Sequence, residues 1–159
     1  MTKVNGSNTQ PDEITRIKPI GWFHYAASYA ISARYLTINK VETTHPDAPI
    51  RHLYRHSIEL YLKAYLLHSG VDVKTLKDKY GHNIEKLAVT AKVLGLKMSD
   101  EQLDQIAFCN DPLPDRYLET GSRRVLNEGA LLAICRHLHT SISPLIYESE
   151  GISRQPPRL

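Results

Sequence analysis

Cysteine is nearly missing from this chain: there are two among 159 residues, Cys109 and Cys135, without CxxC spacing. Both stand in apolar surroundings, so a disulfide framework is excluded and reduced core thiols are expected. No apolar run reaches the roughly 18 residues that a membrane span needs, and no signal-peptide pattern opens the chain, so a cytoplasmic protein with no membrane association is expected. Internal repeats and low-complexity blocks are absent as well, which excludes solenoids and arrays. There is no phosphate-cradling glycine loop, no GxSxG, no HxE…CxxC zinc pattern and no Ser-His-Asp set that spacing alone can place. Charge of one sign does not dominate. The formal net charge of +3 permits a nucleic-acid partner without requiring one.

What is present is ordinary for one soluble domain: 42% apolar and 23% charged residues, in a chain long enough to bury a core without staples. Strand-type alternation is scarce and helical spacing common, so the fold class is all-α. The stretch 49–70, PIRHLYRHSIELYLKAYLLHSG, organises the rest. Pro49 suits a first helical turn, and Gly70 suits the position just past the end. Ile50, Leu53, Tyr54, Ile58, Tyr61, Leu62 and Tyr65 make one stripe, and beyond Ile58 the apolar surface widens until only Glu59, Lys63 and His68 remain polar. A helix apolar nearly all round needs neighbours on several sides, which predicts the central helix of a bundle.

A first helix is expected from Pro19 or Gly21 to about Asn39. Its apolar face is Trp22, Tyr25, Ala26, Tyr29, Ala30, Ala33 and Leu36, and its aromatics read as core rather than as a base-stacking platform. Residues 40–48 connect it to the central helix, and 71–81 read as a polar link from which Leu76 and Tyr80 could dock onto the bundle. Asn83 caps a third helix that buries Ile84, Leu87, Ala88, Ala91 and Leu94 and stops at Gly95. Ser99 and Gln102 form a capping box for a short helix, with Leu103, Ile106, Ala107 and Phe108 on its apolar side and Asn110, Asp111 and Pro112 at its end. After an irregular segment at 115–121, the last long helix begins beyond Ser122. It turns Leu131, Ile134, Leu138 and Leu145 inward, leaves Arg123, Arg124, Arg136, His137 and His139 mostly off that face, and is ended or kinked by Pro144. The expected architecture is a mostly antiparallel bundle of four main helices plus a short fifth. It occupies 17–147, between a flexible segment at 1–16 and a flexible tail at 148–159.

Two clusters carry candidate chemistry. Arg51, His52, Arg55 and His56 crowd the first turns of the central helix. His52 and His56 stack one turn apart with Glu59 beyond them, but the glutamate of an HExxH zinc helix is missing, so neither a metal nor a cofactor is expected. Two readings of this cluster stand. One is a solvated face with an Arg55–Glu59 helix pair; the other is an anion or phosphate site assisted by the positive helix end. Arg51 and His56 match an Arg-x4-His spacing, but a helix sets them about 140° apart, too far round to share one small site. The second cluster is Arg136 with His139, one turn apart, a phosphate pair or an idle solvent pair. His82, in Gly81-His82-Asn83, reads as a filler at a loop-to-helix junction.

The stretches IRHLYRHSIELYLKAYLL and YGHNIEKLAVTAKVLGL together resemble the HEPN superfamily of small bacterial helical domains. The shared features are His56-x-x-Glu59-x-x-Leu62-Lys63 and Gly81-His82-Asn83-Ile84-x-x-Leu87, and the likeness spans about Trp22 to Gly95. It implies a helical bundle, commonly a homodimer, tied to RNA or nucleotide handling. Active members are metal-independent ribonucleases with Arg-x4-6-His on the last long helix, where His moves protons and Arg stabilises phosphate charge. Here Arg123 and Arg124 have no His at that distance, and Arg136 meets His137 and His139 too soon, so the nuclease motif does not carry over. The expectation is a non-catalytic or weakly catalytic homodimer that binds RNA or nucleotide phosphates. The alternatives are a toxin-like ribonuclease and a purely structural or protein-interaction module.

Overall fold

The computed structural model describes residues 17–110 and 126–159, apart from Gln155 and Pro157. Among them are six α-helices and no strand: α1 Pro19–Ile38, α2 Asp47–His68, α3 Val73–Thr75, α4 Ile84–Val93, α5 Asp100–Phe108 and α6 Glu128–Ser149. The fold is an all-α bundle. The expected segments 1–16 and 115–121, Arg123 and Arg124, and the helix-ending Asp111 and Pro112 lie outside the described residues.

Local chemistry sets the helix ends. Pro19 opens α1, where a missing N–H costs nothing. Gly70 follows α2 at φ +94, with Gly70 N–H donating to the Leu67 carbonyl at 3.1 Å and Val71 N–H to that of Leu66 at 2.9 Å. These paired bonds satisfy carbonyls that the helix end leaves open. Asn83 accepts from Lys86 N–H at 2.9 Å to start α4, and Ser99 with Gln102 forms the reciprocal capping box of α5. The 71–81 stretch is not merely a polar link. Asp72 caps α3, which runs directly into a π-helical turn, Leu76–Tyr80, that buries Leu76 and Tyr80. Asn127 caps α6, whose start is therefore later than Ser122 suggests. α6 also continues through Pro144, because Ile142, Ile146 and Tyr147 are buried on either side of the lost backbone bond. It extends to Ser149, and Leu159 packs against the core.

α2 is central, packed against α1, α4 and α6. Tyr54, Ile58, Tyr61, Leu62 and Leu66 are fully buried along it. α1 lies closest because its inner face is Ala26, Ala27, Ala30 and Ala33; the Ser57 hydroxyl reaches across to donate to the Ala26 carbonyl at 2.8 Å. Phe23, rather than Tyr25, is the large side chain that α1 inserts; Tyr25 is 66% exposed. Leu94, Phe108 and Leu145, expected inside, are exposed, since each lies one step round from the buried row of its helix.

Cross-helix pairs fix the directions. Phe23 meets Tyr61 and Tyr29 meets His56, so α1 and α2 are antiparallel. His24 bonds Tyr147, so the start of α1 lies at the end of α6. Arg51 faces Glu128, however, and Tyr61 bonds His139, so α2 and α6 run parallel. The mostly antiparallel expectation thus holds for α1 against both neighbours and fails for α2 with α6. The long excursion through α3, α4 and α5 lets the chain return in the same sense.

Truncating the central row tests this packing. Leu62→Ala is expected to lower unfolding free energy by about 2–5 kcal/mol in urea titration; a loss under about 1 kcal/mol places Leu62 outside the core.

Candidate functional site

Helical spacing puts His52, His56, Glu59 and Lys63 in one sector of α2. The His52 and His56 rings are nearly parallel, 8° apart in plane with centroids 6.4 Å apart. Tyr29 of α1 packs at 85° to His56, with centroids 4.5 Å apart. His56 is half-buried, and burial above all holds its pKa below the usual imidazole value; Glu59 opposes this, while His52, Lys63 and His82 reinforce it. His56 is therefore neutral at pH 7 and feels the charges of the whole row.

Glu59 does not lie on a solvated face. It is buried, and its Oε1 accepts from Lys63 Nζ at 2.6 Å and from His82 Nδ1 at 2.9 Å. The side chains of Glu59 and Lys63 are 8% and 13% exposed, whereas that of His82 is 84% exposed. A carboxylate only accepts, so Nδ1 carries the proton and Nε2 of His82 is turned away from the carboxylate. The backbone delivers His82 here. The π turn closes with Gly81 N–H on the Leu76 carbonyl at 3.0 Å, and Asn83 N–H donates to the Tyr80 carbonyl at 2.9 Å. Gly81 between them has φ +54 and ψ −117, a conformation in which a side chain is strained. His82 is thus a partner of a buried carboxylate, not a filler. Beside it lies a cavity of about 360 Å³, lined by Trp22, Lys63, Val73, Leu76, Lys77, Gly81 and His82.

The two arginines occupy the other flank of α2. Arg51 Nη1 lies 4.0 Å from Glu128 on α6. Arg55 Nε donates to the Cys109 carbonyl at 2.6 Å, placing a cation at the negative end of α5. Arg51 and His56 do point to different neighbours, α6 and α1, as their angular separation requires.

Arg136 and His139 do not form a solvent-facing pair. Arg136 is exposed, but His139 is buried, with Nδ1 2.8 Å from the Tyr61 hydroxyl and Phe23 5.0 Å away between ring centroids. The edge of the buried sector falls between them: His139 is one turn beyond Cys135 and one turn before Ser143, both inside. Burial drives the Tyr61 hydroxyl far above its usual pKa, so it stays protonated. His137 Nε2–H donates to the Lys97 carbonyl at 2.7 Å and ties α6 to the link before α5. Cys109 and Cys135 are free and buried, their thiols pushed up to about 11 and about 12, which rules out thiolate chemistry at neutral pH. Among the described residues no group of three or more His, Cys, Asp or Glu is placed to hold a metal ion. No helix among them is long and apolar enough to cross a membrane.

Comparison with protein-family models, with curated proteins and with solved structures finds no match. The chain is defined by its own geometry: a helical bundle whose central helix carries an imidazole and lysine row leading to a cavity walled by Trp22. The His52–His56 pair was visible in the sequence. The convergence of Glu59, Lys63 and His82 was not, although a Glu and a Lys one turn apart in an otherwise apolar helix is a signal of a buried pair.

Two measurements check this site. Proton NMR titration is expected to give His56 a midpoint below about 6.5. Because that folded pKa is depressed, the stability it contributes is complete above about pH 6.5 and lost as pH falls through the lower folded value. A midpoint at or above 6.5 contradicts the half-buried placement. Glu59→Gln, which strands Lys63, is expected to cost about 3–5 kcal/mol in denaturant unfolding; a neutral result means the pair is solvated.

Proposed function

We propose that this is a HEPN-like helical protein that binds RNA or nucleotide phosphates as a homodimer in the cytoplasm, without strong catalysis. One observation carries the reading: the two stretches of the resemblance, 50–67 and 80–96, meet where Glu59 holds Lys63 and His82 in line with His52 and His56. Lys63 is cationic, and the imidazoles of His52, His56 and His82 extend the row beside it, an arrangement suited to a polyanion. Arg51 and Arg55 face Glu128 and Cys109, so in this reading they brace α2 while the histidine flank makes contact. Ile31, Tyr35 and Ile38, exposed along one side of α1, offer an apolar face for the second subunit.

The ribonuclease reading has an observation of its own. A neutral His56 stacked beside His52 supplies a proton acceptor next to a second imidazole, the kind of pair that attack by a ribose 2′-OH on the adjacent phosphate uses.

Binding of single-stranded RNA measured against salt at pH 6 tests the proposal. The slope of log K against log[salt] is expected to shrink by roughly 0.7 in His52→Ala and to stay unchanged in Arg51→Ala. Absent binding, or the opposite assignment, defeats it. Cleavage of the same RNA in the presence of chelator, abolished by His56→Ala, would replace it with the ribonuclease reading.

A further inference from the structure

We propose that the cavity beside His82 is a binding site for a phosphomonoester carried on a planar base: a nucleoside monophosphate, or the phosphorylated end of an RNA strand. Its place at the end of the imidazole row rests on the RNA reading; the cavity itself does not.

The volume, about 360 Å³, lies at the small end of ligand pockets, the scale of one nucleotide rather than a folded polymer. Its wall is divided. Trp22, Val73 and Leu76 supply an apolar and aromatic side, which suits a flat ring. Lys63, Lys77 and His82 supply the polar side. The charge balance selects the ligand. Lys63 is already matched by Glu59 at 2.6 Å, and the same oxygen takes Nδ1 of His82. This leaves Lys77, exposed on the π turn, without a fixed counter-charge from Glu59. An incoming phosphomonoester carries about −1.5 to −2 at pH 7, and the two lysines that line this wall, Lys77 and Lys63, supply the opposite sign of charge. The Glu59 carboxylate fixes the His82 ring, so part of the ordering needed for binding is complete before the ligand arrives. Gly81, free to take a positive φ, sets the same ring in place from the backbone side.

Trp22 is the only tryptophan in the chain, so intrinsic fluorescence reports on this cavity directly. Titrating the intact protein with adenosine 5′-monophosphate is expected to change that emission saturably. Adenosine and inorganic phosphate each bind more weakly, because each fills one half of the site. Lys77→Ala, at an exposed position that spares the fold, is expected to weaken the nucleotide by roughly tenfold or more. No change with the nucleotide, equal response to adenosine, or an unaltered Lys77→Ala overturns the proposal, whether or not RNA binds along His52. A 5′-phosphorylated RNA hexamer that shifts the emission more than its 5′-hydroxyl counterpart identifies the strand end as the source. A nucleotide response without any salt-dependent RNA binding keeps the cavity as a free-nucleotide site and removes the RNA reading.

Discussion

A carboxylate lies inside the central, enclosed helix of the bundle, and the arrangement around it follows from that. α2 is enclosed by α1, α4 and α6, so Glu59 is removed from water and must be matched by a cation and hydrogen-bond donors. Lys63, one turn along, supplies the cation. His82 supplies the second donor, and this fixes where the chain must be after the π turn and how α4 begins. The start of α4 against α2 is thus marked by this hydrogen bond together with the burial of Ile84 and Leu87.

The same helix has two polar flanks with different work. Toward α5 and α6, Arg55 and Arg51 meet a carbonyl at a helix end and a glutamate, contacts that hold elements together. Toward α1 and the π turn, His52, His56, Lys63 and His82 form a row that ends at open space beside Trp22. Two further histidines tie helices together: His139, buried, shares a hydrogen bond with Tyr61, and His24, exposed, shares one with Tyr147. Of the basic residues first singled out as candidates, only part of the set can meet a ligand, because helical phase decides which face water.

Periodicity made most of the fold legible. The caps at Asn83 and Ser99, the stop at Gly70 and the enclosure of 49–70 all stand where their residues imply. Phase errors account for the misplacements. Tyr25 and Leu145 are apolar, but each falls outside the row completed by its small or aliphatic neighbours. His139 is polar, yet falls inside such a row. Composition ranks residues by average preference, whereas one step of helix rotation decides the individual case. The polar look of 71–81 hid a π turn because its two anchors, Leu76 and Tyr80, are too few to show a period.

From the order of residues alone come the helices, their ends, the core role of α2 and the pairing of His52 with His56, because these depend on neighbours within a turn or two. Only the tertiary structure joined Glu59 to His82, set α2 parallel to α6, buried His139 against Tyr61 and opened the cavity beside Trp22. Those contacts link residues far apart in sequence, where no local spacing carries the distance between them. They exist because enclosing one apolar helix forces the rest of the chain to bring polar partners to the charge it contains.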